Sequence, residues 1–193
     1  EFLERRDPTM PFFLKVSFIH PHQPWCPPAW YLDKYLRRDI APPVTADWSQ
    51  VFDRPQRGLP VRNTWRICLE PERMRELQAA YYACINAIDD QIGRLLDAMP
   101  GNTIIAFLSD HGEMLGDHQW LRKRSPYEGS ARVPFFLNFP KGMKVPQGKT
   151  QTVPVELMDL MPTLLEAVGL PVPETVDGQS LMPLLRGQSS QWR

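Results

Sequence analysis

Apolar side chains recur most regularly between Pro71 and Met99, where they are spaced three or four residues apart. The members of this pattern between its two ends are Met74, Leu77, Tyr81, Cys84, Ile88, Ile92 and Leu95. Because an α-helix turns once about every 3.6 residues, this spacing places them on one face and predicts a helix over 71–99. Pro71 suits the first helical turn, and Pro100-Gly101 ends the helix.

Shorter patterns predict further helices. Val155 to Val168 has apolar residues on one helical face, and Gly169 suits the position that ends such a helix. A short helix is predicted near Tyr31 to Tyr35, within a segment from Trp25 to Pro71 that otherwise shows no period. A loop of that length in a compact domain is more often functional than idle.

Three short apolar runs predict buried strands, at Pro11–Ile19, Asn102–Ser109 and Val133–Phe139. The first run ends where Pro21 and Pro24 prevent further pairing. The order strand, helix, strand indicates an α/β fold with a parallel sheet covered by helices. We therefore expect the first two strands to be parallel neighbours, with the helix over 71–99 packed across them.

Composition narrows the class of partner. The chain has 193 residues, with 22 basic and 22 acidic side chains, so its formal net charge is zero. This balance gives no reason to expect nucleic acid or an anionic membrane as a partner.

No apolar stretch approaches the roughly 20 residues of a membrane span, and no signal peptide is visible at Glu1. The localisation stays open between cytoplasm and periplasm. Three cysteines without metal-site spacing are interpreted as incidental thiols.

Polar side chains that could bind a ligand or take part in catalysis follow the first two predicted strands. His20 and His22 come after the first, and Asp110-His111 comes after the second, with Lys123 further along. All four histidines of the chain lie in these two regions, the fourth being His118 beside Asp117. Because ligands of parallel α/β sheets bind outside the carboxyl ends of the strands, we expect His22, Asp110, His111 and Lys123 to face one cleft.

Each of these residues has a chemical and a structural interpretation. Asp110 and His111 offer an oxygen and a nitrogen ligand for a divalent metal, but an aspartate at a strand end also forms turns. Lys123 suits an anionic ester oxygen, but it also fits a solvated surface. His22 suits proton transfer or anion contact, whereas His20 fits a polar group near the core. Asp117 and His118 are interpreted as loop-internal hydrogen-bonding residues.

The segment Ser109-Asp110-His111-Gly112-Glu113-Met114-Leu115-Gly116-Asp117-His118 resembles the metal-binding loop of type I sulfatases, in the alkaline phosphatase superfamily. Four other parts resemble the same family in order and spacing. They are Pro11-Phe12-Phe13 with His20-Pro21-His22-Gln23-Pro24, Ile88-Asp89-Asp90-Gln91-Ile92-Gly93, Lys123 to Pro134, and Asp159 to Leu165 with Asp177-Gly178-Gln179-Ser180-Leu181. Together they span nearly the whole chain.

This resemblance implies an alkaline-phosphatase-like α/β fold and hydrolysis of sulfate monoesters at a formylglycine nucleophile. It implies a divalent cation, usually calcium, with Asp110 and His111 among its ligands. It further implies that Lys123 contacts the sulfate group and that His22 contacts the sulfate or the leaving-group oxygen. The resemblance also implies that His20 is a further substrate-binding residue. The expected partner is accordingly a sulfate ester.

The sequence departs from the family pattern at the nucleophile. The family motif is Cys- or Ser-x-Pro/Ala-x-Arg, whereas Cys26 is followed by Pro27-Pro28-Ala29-Trp30, and Cys68 and Cys84 fail too. We therefore interpret the chain as the C-terminal portion of a sulfatase, with a sheet incomplete on its N-terminal side. Residues 1–150 would belong to the catalytic α/β domain, and 151–193 would complete it. We expect the isolated chain to be inactive and to self-associate through its uncovered face, or to have disordered loops.

The pair Asp110-His111 leaves two questions open. Many sulfatases have Asp-Asn at this point, and a histidine ligand is compatible with manganese or zinc as well as calcium. Phosphonate monoester hydrolases and phosphodiesterases of the same superfamily also use Asp-His, so they are the alternative enzyme class. A non-catalytic interaction module is a further alternative, which burial of Asp110, His111 and Lys123, or a large apolar face left by the absent half, would favour.

Overall fold

The computed structural model describes residues 1–52, 66–67 and 69–188. Its helices are α1 (Phe2–Arg5), α2 (Ala29–Leu36), α3 (Asp47–Phe52), α4 (Pro71–Asp97), α5 (Glu128–Ala131), α6 (Leu160–Ala167) and α7 (Met182–Leu185). Its strands are β1 (Ile105–Leu108) and β2 (Phe135–Asn138). Single turns of 3₁₀ helix cover Asp117–Gln119, Lys141–Met143 and Leu157–Asp159. Cys68 and residues 53–65 of the predicted long loop lie outside the described residues.

Helix α4 confirms the clearest prediction. It begins with Pro71 in its first turn and ends at Asp97, two residues before the predicted end. Its buried residues are Met74, Gln78, Ala79, Ala83 and Cys84, which lie in its N-terminal half and on more than one side of the helix. The short helix predicted near Tyr31 to Tyr35 is also confirmed, as α2.

Helix α2 packs against α4 through polar contacts as well as apolar ones. Asn86 Oδ1 accepts hydrogen bonds from Tyr35 Oη at 3.0 Å and from Lys34 Nζ at 2.9 Å. One turn further along α4, Tyr31 Oη donates to the Asp90 carboxylate. These bonds fix the two helices in register.

The sheet differs from the prediction. β1 and β2 lie within two of the predicted strands, but they pair antiparallel, with Ile105 opposite Asn138 and Leu108 opposite Phe135. Residues 11–19 are irregular and not a strand, so the expected parallel partner of β1 is wrong. A strand requires a partner's backbone, and this apolar segment leaves Phe13 and Ile19 more than 80% exposed. Phe12 of the same segment is half-buried, with its ring beside Phe2 and Arg6, so the apolar side chains of this segment are covered only in part.

The described chain divides into two units by its contacts. The first contains residues 1–100 and 111–133, and the second contains 101–110 and 134–193. In the second unit, Phe139, Val145 and Met182 form a buried cluster. Helix α6 confirms the helix predicted there, over a shorter span, and Gly169 ends it with a positive φ of 75°.

In the first unit, the segment from His111 to Val133 packs beside α4. Met114 is 1% exposed and Leu121 is 9% exposed. Gly116 has φ +100°, and a Cβ there would lie 2.7 Å from Pro43 Cγ and 2.8 Å from Met74 Sδ, so only glycine fits. Cys26 is exposed and Cys84 is buried, and both are free thiols. No helix within the described residues is long and apolar enough to span a bilayer.

Candidate active site

The loop after β1 is closed by its own backbone. Met114 N–H donates to Arg122 O and Gly116 N–H donates to Trp120 O, both at 2.8 Å. Several residues without glycine's freedom adopt positive φ in this loop, namely Leu115, His118, Gln119, Arg122 and Arg124. Each such residue costs about 1 kcal/mol or more, so the loop holds its shape through contacts rather than through local preference.

Lys123 lies in this loop and brings two predicted site residues together. Its Nζ is 2.9 Å from His22 Nε2 and 2.9 Å from His111 Nε2. The two imidazole rings meet edge to face, with centroids 5.9 Å apart. His22 is separated from Lys123 by 101 residues, so this convergence is a property of the folded unit.

The hydrogen bonds define the protonation of both rings. His111 Nδ1 lies 2.8 Å from Gly112 O, and His22 Nδ1 lies 3.0 Å from Gln23 O. Because a carbonyl oxygen can only accept, each Nδ1 carries the proton. A lysine ammonium can only donate, so each Nε2 presents its lone pair to Lys123. The site therefore holds one cation between two neutral imidazoles.

Glu113 is a site-forming residue that the sequence reasoning did not single out. Its Oε1 accepts hydrogen bonds from the backbone N–H of Leu115 at 3.3 Å and from the backbone N–H of Arg122. Burial raises the pKa of this carboxyl, while the two backbone N–H groups and the neighbouring His111 and Arg122 act in the opposite direction. The feature of the sequence that could have indicated Glu113 is its position within the segment from Ser109 to His118.

Asp117 and His118 anchor the loop instead of extending the site. Asp117 Oδ1 accepts the backbone N–H of Val44 at 2.8 Å, and His118 N–H donates to Val44 O at 2.7 Å. The His118 ring also contacts Trp48 and Tyr127, with centroids 5.1 and 4.6 Å away. Their hydrogen bonds thus reach a distant segment and not only the loop itself.

Two further predicted residues are exposed. Asp110 belongs to the second unit, whereas His22, His111 and Lys123 belong to the first. His20 is exposed and precedes a cis His20–Pro21 bond.

The donor set fits a divalent metal only in part. His111 holds Nδ1 on a backbone carbonyl, as many metal-ligating histidines do, while its Nε2 lies 2.9 Å from Lys123 Nζ. Among residues 1–52, 66–67 and 69–188, no three His, Cys, Asp or Glu side chains cluster as a metal site.

Comparison with known proteins identifies the family. The sulfatase family model matches residues 1–170. The chain belongs to the sulfatase family. An arylsulfatase of Clostridium perfringens is 45% identical over the whole chain, and a choline-sulfatase of Rhizobium meliloti is 33% identical over 92% of it. The chain spans 41% and 36% of these two sulfatases, less than half the length of either.

Solved structures show the fold of this sulfatase chain. A phosphonate monoester hydrolase of Agrobacterium radiobacter superposes with a TM-score of 0.83, at 29% identity, covering all of this chain and 41% of that one. A protein solved in complex with D-glucosamine-2-N,6-O-disulfate is 34% identical over 63% of this chain, which covers 26% of that protein, with a TM-score of 0.58. The predicted alkaline-phosphatase-like α/β class is therefore confirmed. Sulfatases generally use a divalent metal and a formylglycine.

Proposed function

We propose that this chain forms part of the active site of a sulfuric ester hydrolase. The observation that carries the proposal is the placement of Lys123 Nζ at 2.9 Å from both His22 Nε2 and His111 Nε2. In the proposed site, Lys123 and His22 act on the substrate, and Asp110 and His111 are metal ligands. His20 is proposed as a further substrate contact.

Lys123 would bind the sulfuryl group. Its hydrogen bonds to the imidazoles use neutral acceptors, and an anionic sulfuryl oxygen is a stronger acceptor for an ammonium. The substrate oxygen would therefore replace an imidazole and draw the positive charge toward the group being transferred. Charge that grows on the sulfuryl oxygens in the transition state strengthens this contact, which lowers the barrier.

His22 would act at the leaving-group oxygen. Its Nδ1 is held by Gln23 O, so Nε2 is the ring atom that can exchange a proton with substrate. The same nitrogen faces Lys123, and it therefore lies beside the position proposed for the sulfuryl group.

The metal and the nucleophile complete the proposed chemistry. Asp110 and His111 would hold a divalent cation, for which we propose calcium, with manganese and zinc compatible with the histidine. When bound, such a cation offsets negative charge on the ester oxygens. None of Cys26, Cys68 and Cys84 lies in a formylglycine motif, so the proposed reaction takes its nucleophile from outside this sequence.

A phosphonate monoester hydrolase is the second candidate. It is favoured by the Asp110-His111 pair and by the likeness to two solved phosphonate monoester hydrolases, with TM-scores of 0.83 and 0.67. The interaction module has less support. Asp110 is exposed and His111 and Lys123 are partly exposed, so the burial that would favour it is not observed.

The test compares an aryl sulfate with an aryl phosphonate ester, using the full-length protein. Turnover of the sulfate that Lys123→Ala abolishes and Lys141→Ala leaves unchanged supports the proposal, because Lys141 is an exposed lysine outside the site. Cleavage of the phosphonate ester alone would move the assignment to the second candidate. A protein that cleaves neither ester contradicts both.

A further inference from the structure

The backbone on both sides of Lys123 is held in an unfavourable conformation. Arg122 has φ +70° and Arg124 has φ +76°, which place both neighbours of Lys123 in the left-handed region. A residue with a Cβ enters this region at a cost of about 1–2 kcal/mol. The direction of the Lys123 side chain depends on these two residues, so something must hold them.

Hydrogen bonds with Glu113 and its neighbour stabilise the backbone conformation of Arg122. The Glu113 carboxylate accepts the Arg122 N–H, while the next residue, Met114, donates its N–H to Arg122 O at 2.8 Å. Both backbone groups of Arg122 are thus bound to the segment directly after His111. The same carboxylate oxygen accepts the Leu115 N–H, which fixes the orientation of the carboxylate.

We propose that Glu113 is a positioning residue for Lys123. It holds Arg122 in the left-handed conformation, and this directs the Lys123 ammonium to the gap between His22 and His111. Because Glu113 binds the backbone N–H groups of Leu115 and Arg122, its effect is transmitted through the backbone. As far as turnover is concerned, the inference rests on the proposed sulfatase function.

Two substitutions of Glu113 separate the effect of its side-chain length from the effect of its charge. Glu113→Gln keeps an acceptor oxygen at the same reach and removes the charge, whereas Glu113→Asp keeps the charge and shortens the side chain by one methylene. If the hydrogen bond to Arg122 N–H is what matters, Gln preserves the site and Asp disturbs it. Glu128→Ala is the matched control, because Glu128 lies in the same unit, is exposed and pairs with exposed Arg132 at 3.2 Å.

The first readout is the ¹⁵N chemical shift of His22 Nε2, measured by NMR on full-length protein labelled with ¹⁵N-histidine, with His22→Gln to assign the signal. Because this nitrogen accepts a hydrogen bond from Lys123 Nζ at 2.9 Å, its signal should move when the ammonium is displaced. We expect the wild-type position in Glu113→Gln and Glu128→Ala, and in Glu113→Asp a displacement in the direction that Lys123→Ala gives. An unchanged signal in Glu113→Asp, or a displaced signal in Glu113→Gln, overturns the proposal.

A rescue variant covers the case in which Glu113→Asp fails to fold. Glycine adopts positive φ without the cost of a Cβ. Arg122→Gly in a Glu113→Ala background should therefore move the His22 Nε2 signal part of the way back from its position in Glu113→Ala alone. No recovery in a folded double variant would show that Arg122 is not the point through which Glu113 acts.

The second readout is turnover by the full-length protein. We expect Glu113→Asp to lower kcat/KM on the order of 100-fold, as for other small displacements of a reacting group. Adding Lys123→Ala should then cost less than about 3-fold more, because both changes remove the same contact. Additive losses overturn the proposal. A wild-type protein that cleaves no ester contradicts the proposed function instead, and the His22 Nε2 signal still decides the role of Glu113.

Discussion

Lys123 is positioned by two rings whose acceptor nitrogens are fixed by their own backbone carbonyls. Because Gly112 O and Gln23 O hold the two Nδ1 protons, neither ring can turn its N–H toward the ammonium without losing a hydrogen bond. The sequence predicted that these residues would converge because both histidines follow predicted strands, and ligands of parallel α/β sheets bind at the carboxyl ends of strands. Glu113 stands in the same loop motif as His111, but a side chain that binds backbone N–H groups leaves no spacing pattern that predicts its role.

At the scale of the residue, we predict that substitutions of the proposed metal ligands and of the proposed substrate contacts have different effects in the full-length protein. Asp110→Ala and His111→Ala should lower both bound metal and turnover, because they remove proposed ligands. Lys123→Ala and His22→Gln should lower turnover on the order of 100-fold with metal content retained. Metal analysis of the purified proteins and initial rates check this. Loss of metal in Lys123→Ala would place Lys123 in a different role.

At the scale of the element, hydrophobic periodicity predicted the helices, whose hydrogen bonds are made within one segment. Helix α4 was predicted to within two residues of its end, because its pattern is long and its ends carry Pro71 and Pro100. The segment 11–19 was predicted wrongly as a strand, because strand formation depends on a partner's backbone that composition does not reveal. Helix α3 was missed, since it covers only Asp47–Phe52 and has no room for a period.

The start of α6 provides a stability prediction. Asp159 is fully buried, and its carboxylate accepts Glu156 N–H at 2.8 Å and Gln179 N–H at 2.9 Å. Asp159→Ala leaves two backbone donors unpaired, so the free energy of unfolding should fall by about 3 kcal/mol. Exposed Asp177→Ala should change it by less than about 0.5 kcal/mol. Urea unfolding followed by circular dichroism measures both, and equal effects would contradict this role of Asp159.

Helix α4 also provides a pH prediction. Burial, followed by the nearby Glu113 charge, raises the pKa of Tyr81 from 10.0 to about 12. Because the folded protein holds this proton more tightly than the unfolded chain, its contribution is complete below pH 10 and is lost as the pH rises from 10 to about 12. Thermal midpoints should fall across this window, and Tyr81→Phe should reduce the fall. An identical pH profile for the variant would exclude Tyr81 as the cause.

At the scale of the whole molecule, the sheet exposes aromatic side chains. Phe136 is 63% exposed and Phe107 is 40% exposed, with ring centroids 5.8 Å apart. Apolar surface of this kind promotes association. We predict that the 193-residue chain self-associates and that Phe136→Ser weakens this more than Val168→Ser, which changes an exposed apolar residue directly after α6. Sedimentation equilibrium checks this, and a monomeric wild type would refute it.

A second prediction at this scale concerns catalysis by the chain alone. The 193-residue sequence has no formylglycine motif, and its described residues hold no complete metal cluster. We therefore expect no hydrolysis of an aryl sulfate at any concentration of calcium, manganese or zinc. Measured turnover that Lys123→Ala abolishes would show that the nucleophile lies within this sequence.

The two hydrogen bonds of Lys123 have the same length but close very different spans of chain, 12 residues to His111 and 101 residues to His22. From loop-closure entropy, the longer span costs about 2 kcal/mol more to bring together. During folding, the contact between Lys123 and His111 can therefore form early and locally, whereas His22 joins only once α4 has docked. A partly unfolded molecule would keep its cation beside one imidazole and lose the other, which makes the distance from His22 to Lys123 a reporter of completed folding.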